Sequence, residues 1–245
     1  MRLVLAISTS CADASVALVM PSSIVASRKL GGTSHSKTLM PVIDEMLEEF
    51  SISISDIDGI AVDIGPGSFT GVRIGVATAN GLAFGASKPV IGINSLLALR
   101  ANVPKIDVVA SIIDAKHDNI YAAIYEKDSE LLPPYSTTID EFIAHIPSNC
   151  LCVGDGAIIY KDRIHFANPY VKIISKDNTE IFCANNNPCA VSVGFAALAL
   201  YFRDNSCAVS QVEPSYYKPS QAEMKRDAKA EVEDSKESCE FEDAD

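Results

Sequence analysis

The run Ile57 to Ile64 is short and strongly apolar, and it leads at once into Gly65-Pro66-Gly67-Ser68-Phe69-Thr70-Gly71-Val72-Arg73-Ile74-Gly75. This order predicts a buried strand, a glycine turn and then a helix over Ser68 to Ala86, the alternation of an α/β protein. The helix has an unusual face. Gly71, Gly75 and Ala79 recur every four residues, so one side is nearly bare, while Val72, Ile74, Val76 and Leu82 supply apolar surface beside it. A glycine inside a helix costs up to about 1 kcal/mol relative to alanine. Close packing against another element must offset that cost.

Elsewhere the same two periods alternate. Arg2 to Ser8, Ala14 to Met20 and Ser23 to Leu30 read as strands, the last closed by Gly31-Gly32. Leu39, Val42, Ile43, Met46, Leu47 and Phe50 lie at helical spacing. Thr33 or Ser34 is placed to cap that helix, and Pro41 predicts a start or a bend nearby. Pro89 to Ile93 gives a strand and Asn94 to Arg100 a short helix. The pattern then restarts, with strands at Val108 to Asp114 and Asn119 to Tyr125, a helix at Thr138 to His145, a strand at Cys150 to Val153, a turn at Gly154-Asp155-Gly156 and a helix at Cys189 to Phe202. Two strand-rich halves, each ending in helices, predict an α/β chain of two similar lobes, residues 1–105 and 106–222.

Residues 223–245 hold ten acidic and four basic side chains, which is half of the net charge of −12. That composition predicts a solvated, mobile tail. The acidic balance also argues against a broad phosphate-gripping surface, since affinity for nucleic acid rests on clustered Lys and Arg. If RNA is involved, a partner holds it. Seven scattered cysteines predict reduced thiols in a cytoplasm rather than a disulfide framework. Cys150-Leu151-Cys152 lacks a zinc spacing and reads as buried strand. The apolar run Leu3 to Ile7 is too short for a signal peptide, and no stretch reaches the roughly 18 apolar residues that span a bilayer. A cytoplasmic chain with no membrane contact is the expectation.

The glycine loop invites a phosphate reading. Backbone amides freed of bulk by Gly65, Gly67 and Gly71, with the hydroxyls of Ser68 and Thr70, can face an anion at a helix start. The P-loop Gly-Lys-Ser/Thr ending is missing, however, and the dinucleotide spacing is not matched. A tight strand-to-helix turn accounts for the same residues. Asp114 is a candidate cleft carboxylate, or the cap of a turn; Gly154-Asp155-Gly156 can line an adenosine, Gly154 and Gly156 making the contact, or simply end a strand. His117 beside Asp118 fits an exposed turn better than a catalytic dyad.

The wider pattern is more specific. The segments "LAISTSCADASVAL", "HSKTLMPVIDEML", "DIGPGSFTGVRIGVATANGLAFGASKPVIGINSLLAL", "IIDAKHDNIYAAIY", "VGDGA" and "VEPSYYKPS" occur in the order and spacing of one family. Over about residues 2–220 the sequence resembles the TsaB (YeaZ) family, bacterial subunits of tRNA threonylcarbamoyladenosine biosynthesis. One departure stands out. The first strand ends Ser8-Thr9-Ser10 where many members read Asp-Thr-Ser, which removes a carboxylate from the position where proteins of this fold hold magnesium.

The resemblance implies two lobes of the actin and sugar-kinase, ribonuclease H-like type, each a mixed sheet flanked by helices. It implies a noncatalytic paralogue of TsaD, the metal-binding subunit that transfers the threonylcarbamoyl group to the adenosine beside the anticodon of tRNAs reading codons that begin with A. It further implies a heterodimer with a TsaD-like subunit, cooperation with a TsaE-like ATPase, and tRNA contact only through the complex. Leu39, Val42, Ile43, Met46, Val72, Gly75, Val76 and Ala79 are the interface positions it suggests, on two helices that otherwise fill the lobe's own core. No catalytic residue, metal ligand or required cofactor is implied; weak ATP or ADP binding and a homodimer of the isolated chain stay open. Two alternatives remain: a nucleotide-dependent phosphotransferase, and a TsaD-like metallopeptidase. The latter lacks its His-x-x-x-His pair, since His35, His117, His145 and His165 are far apart.

Overall fold

A computed structural model of the chain describes residues 1–12, 14–30, 35–103, 106–127, 129–174 and 186–217. The acidic tail and the proposed Thr33 or Ser34 cap lie outside these residues. Met1–Ser215 forms one compact unit.

Two five-stranded sheets organise that unit. The first joins β1 (Val4–Ser8), β2 (Ser15–Met20), β3 (Ser23–Lys29), β4 (Gly59–Gly65) and β5 (Val90–Asn94) in the order β3-β2-β1-β4-β5. The second joins β6 (Val108–Asp114), β7 (Asn119–Glu126), β8 (Ser129–Thr138), β9 (Leu151–Val153) and β10 (Lys172–Ile173) in the order β10-β9-β6-β7-β8. Numbered within its own lobe, each sheet runs third, second, first, fourth, fifth. The first three strands are antiparallel and the next two parallel in both lobes. The architecture is therefore one topology used twice, as the actin and sugar-kinase type requires.

Strand alternation divides the first core into two layers. Leu5, Ile7, Val16, Leu18, Ile60 and Val62 face helices α1 (His35–Glu49) and α2 (Phe69–Ala86). Val4, Ala6, Ala17, Val19, Ala61, Ile91 and Ile93 face α3 (Ser95–Ala101) and α7 (Ala190–Arg203). Between these come α4 (Ile139–Ile143), α5 (Asp155–Ile159) and α6 (Lys161–Ala167), which cover one face of the second sheet through Ile139, Phe142, Ala157 and Ile164. Leu96 and Leu99 of α3 reach the other face, against Val109, Tyr125 and Val153. Helix α3 thus serves both sheets, and α7, last in the sequence, returns to the first. Burying each such Leu, Ile or Phe contributes roughly 1.5–3 kcal/mol.

Three expectations need correction. Helix α1 does not start at Pro41 but begins at His35 and runs through it. Leu39, Ile43 and Met46, all buried on one face, hold both halves while Pro41 lies on the exposed side. Strand β8 was not anticipated because Pro133-Pro134 sits inside it. It is an edge strand, and Tyr135 pairs Ala122 while Leu132 pairs Ile124, so both prolines fall in an irregular stretch that needs no ladder donor. Gly154-Asp155-Gly156 is not a free turn but opens α5.

Candidate functional site

At the carboxyl end of β4 the chain places a completely buried acid, Asp63. Its Oδ1 accepts from Gly65 N at 3.0 Å and from Ser95 Oγ at 2.5 Å; its Oδ2 accepts from Ser8 Oγ at 3.1 Å and from Ser10 Oγ. Burial pushes the Asp63 carboxyl above its ordinary value, and the hydrogen bonds from Ser10, Ser95, Gly65 and Ser8 only partly oppose it. The acid thus ties the ends of β1 and β4 to the start of α3. Its signal in the sequence was a lone charge in an otherwise apolar strand, which sequence reasoning passed over.

The loop that follows spends its own donors. Ser68 caps α2, its Oγ accepting from Gly71 N at 3.2 Å, and Ser68 N donates to Ser10 O at 2.6 Å. With Gly65 N on Asp63, three of the amides that could face an anion are engaged within the protein. The bare helix face has a definite neighbour. A Cβ on Gly71 would collide with the Thr9 carbonyl oxygen, and one on Gly75 with Thr9 Oγ1. Gly67 and Thr70 lie on the exposed side of the loop. The stripe brings α2 onto the end of β1, the close packing that offsets its glycines.

The second lobe repeats the arrangement. Gly154 follows β9 as the loop glycine Gly65 ends β4, with φ of 103° against 96°. A Cβ on Gly154 would strike the Ile112 carbonyl oxygen of β6, and one on Gly156 would stand 2.7 Å from Ile112 Cγ2. Between them Asp155 Oδ1 accepts from Asp114 N at 3.0 Å and from Gly156 N at 2.8 Å. Asp114, at the end of β6, accepts from Lys116 N at 3.1 Å, Lys116 Nζ at 2.7 Å and Tyr160 OH at 3.1 Å. The structure therefore brings Asp114 and the Gly154-Asp155-Gly156 stretch together, and adds Lys116 and Tyr160, which sequence reasoning missed.

The two carboxyls are pushed apart. Burial raises Asp114, but the bonds from Lys116 and Tyr160 outweigh it and hold the group below its ordinary value. Asp155 stands above its ordinary value, mainly through burial, with the Asp114 charge adding to the rise. Among the described residues Asp155 accepts from two backbone amides, so the acid serves to hold the loop. Lys116, His117 and Asp118 follow with φ of 67°, 54° and 59°. Three consecutive left-handed residues cost of order 1–2 kcal/mol each. Asn119 Nδ2, donating to the Lys116 and His117 carbonyls, and an Arg163–Asp118 ion pair at 2.7 Å hold the turn. His117 is exposed within it.

Leu39, Ile43, Met46, Val72, Gly75, Val76 and Ala79 are all buried in the first lobe's core, and Val42 is partly buried. The opposite face of α2 is open. Phe84 is 88% exposed, Phe69 39%, and the sites where Gly81 and Gly85 would carry a Cβ have no atom within 4 Å. Arg73 stacks on Phe69, its Cζ 3.7 Å from the ring centre. Beside this face α1 exposes Met40, Asp44, Glu45 and Glu48.

Cys150 and Cys152 are buried free thiols, and the neighbouring Cys150 and burial push the Cys152 thiol far up, which makes it a poor nucleophile. Cys189 is disulfide-bonded, so the all-thiol expectation does not hold there. Among the described residues no three His, Cys, Asp or Glu side chains cluster as metal ligands would, and no helix is long and apolar enough to cross a membrane.

Residues 22–223 match the family model described as TsaD: tRNA N6-adenosine threonylcarbamoyltransferase. The tRNA threonylcarbamoyladenosine biosynthesis protein TsaB of Haemophilus influenzae is 38% identical over 120 residues, 48% of this chain and 51% of that protein. TsaB of Escherichia coli is 36% identical over 128 residues, 51% of this chain and 55% of that protein. The chain thus spans about half the length of the curated relatives it matches. Among solved structures, YeaZ from Pseudomonas aeruginosa superposes with a TM-score of 0.69 at 25% identity, covering 88% of this chain and 100% of that one. A second Pseudomonas aeruginosa structure, described as similar to peptidase YEAZ, gives 0.74 at 24% identity over 89% of this chain and 100% of that one.

Proposed function

The chain belongs to the TsaD-type family, in its TsaB/YeaZ branch, and on that premise we propose that it is a noncatalytic partner subunit in tRNA threonylcarbamoyladenosine biosynthesis. It docks a TsaD-like catalytic subunit through the outer face of α2 and the adjoining edge of α1. The observation that carries this is the open face of α2, where Ala77, Gly81 and Gly85 present surface without bulk beside the exposed rings of Phe69 and Phe84. A face this bare admits a second helix at close range, and Phe84 offers an aromatic anchor. The glycine loops support a scaffold, since three of the first loop's amides and the Gly154 and Gly156 backbones are committed to internal contacts. The net charge of −12 leaves tRNA to the partner. A TsaE-like ATPase joins the same complex, and no cofactor is needed for docking.

The test is size-exclusion chromatography with light scattering of the full chain mixed with a TsaD-like subunit, for wild type and Gly81→Leu. Gly81 is chosen over Gly75 because a side chain at Gly81 meets open space, so the variant stays folded. A heterodimer with wild type that Gly81→Leu abolishes is the expected result. A homodimer of the isolated chain that Gly81→Leu also abolishes would show the same face pairing with itself. No complex between two folded proteins would overturn the proposal. Magnesium-dependent ATP turnover by the chain alone would favour the phosphotransferase instead.

A further inference from the structure

The two glycine loops stand in different lobes, yet one short segment touches both ends of the connection. Asn186 is buried, lies in the left-handed region at φ of 55°, and clamps Gly154 at two points. Its Oδ1 accepts from Gly154 N at 2.9 Å, and its Nδ2 donates to Gly154 O at 2.8 Å. The next residue, Asn187, offers its carbonyl to Asn102 Nδ2 at 3.1 Å, just past the end of α3. The Pro188 carbonyl then accepts from Ser8 Oγ at 3.4 Å and from Cys11 Sγ at 3.6 Å. Ser8 Oγ is also 3.1 Å from Asp63 Oδ2, and the other Asp63 oxygen holds Gly65 N.

We propose that residues 186–188 tie the two glycine loops into one cooperative unit of local opening, so that the loop that starts α2 and the loop that starts α5 loosen together. Native proteins open in contiguous cooperative units, and loops of separate lobes would ordinarily belong to different ones. Here each step from Gly65 through Asp63, Ser8 and Pro188 to Asn186 and Gly154 is a buried hydrogen bond or the two peptide links of residues 186–188, with the one Ser8 hydroxyl proton shared between Asp63 Oδ2 and the Pro188 carbonyl. Losing one member strands a buried polar group, which favours release of the next. The tie gives α2, which carries the open face, a direct mechanical connection to the second lobe. It does not depend on what docks there.

The test is amide hydrogen exchange by NMR on the full chain for wild type, Asn186→Gly and Ser8→Ala. Glycine at 186 keeps the left-handed conformation while removing the carboxamide, and Ser8→Ala removes the hydroxyl between Asp63 and Pro188. Gly65 and Ser68 report the first loop, Ala157 and Tyr160 the second, and Ala122 in β7, an interior strand of the second sheet, reports global unfolding. Relative to Ala122, Asn186→Gly is expected to speed Gly65 and Ser68, and Ser8→Ala to speed Ala157 and Tyr160, each by roughly tenfold, the factor that one net hydrogen bond carries. Acceleration that stays within the lobe of the substitution, in either folded variant, overturns the proposal. Should Asn186→Gly fail to unfold cooperatively, the Ser8→Ala arm decides alone.

Discussion

Thr9 Oγ1 donates to the Gly71 carbonyl at 2.7 Å, while the Thr9 carbonyl occupies the space that a Cβ on Gly71 would need. The two residues lock the end of β1 to the first turn of α2 through the absence of a side chain. Gly71→Ala is therefore expected to destabilise the chain by about 3 kcal/mol or more, at the upper end of overpacking costs, because the obstacle is backbone. The same change at Gly81 or Gly85, where the added methyl meets nothing, should stabilise by up to about 1 kcal/mol. Urea midpoints of the three variants at constant m-value measure the contrast. Equal effects at Gly71 and Gly81 would contradict it.

The raised Asp63 carboxyl makes a signed prediction. A carboxyl whose folded value lies above its unfolded one contributes stability that is fully present below the unfolded value, near 3.8, and is lost as pH rises through the higher folded value. Asp114 has the opposite sign, since its lowered value contributes stability above the unfolded value that disappears as pH falls through the folded one. Asp63→Asn should flatten the loss of stability on the rising side of pH 3.8, and Asp114→Asn the loss on the falling side. Urea titrations of each variant, subtracted from wild type across pH, separate the two. A difference curve of the reverse slope for Asp63→Asn would refute the assignment.

The left-handed run at Lys116, His117 and Asp118 stores strain in a turn that no glycine relieves. Among the described residues the His117 side chain makes no bond that the turn depends on, whereas Lys116 pairs with Asp114 and Asp118 with Arg163. His117→Gly should raise stability by roughly 1 kcal/mol, and His117→Val should lower it. A thermal melt of both variants gives the answer, and a destabilised glycine variant would show that the conformation costs nothing here.

Much of this architecture was legible because its signals are local. The apolar runs Val4–Ser8 and Val108–Asp114, and the helix starts expected at Ser68, Asn94 and Thr138, mark elements that form within a residue of where the pattern puts them. Strand β8 was hidden because Pro133 and Pro134 are tolerable only where a sheet edge and a register shift coincide, and neither is visible in sequence. The glycine stripe was read correctly as a close-packing surface, but its neighbour, Thr9, lies some sixty residues away and could not be named from spacing. The same limit applies to Asp63 and Asn186. Their roles arise from partners in distant segments, Ser8 and Ser10 for one and Gly154 for the other, which only the folded chain brings together.

Interface and core can be separated on the same pair of helices. Ile43 of α1 is 1% exposed beneath the helices, whereas Phe84 of α2 is 88% exposed above them. Ile43→Ala removes buried methyl groups and should cost about 2–5 kcal/mol of folding stability. Phe84→Ala removes almost no buried surface, so its stability should stay within about 0.5 kcal/mol of wild type. If the outer face of α2 meets the TsaD-like subunit, Phe84→Ala should instead weaken that complex by at least about tenfold, as loss of an aromatic anchor does. Chemical unfolding and calorimetric binding on the same two variants give four numbers. A Phe84→Ala variant that binds as wild type does would move the partner's contact off this face, whatever Ile43 does to stability.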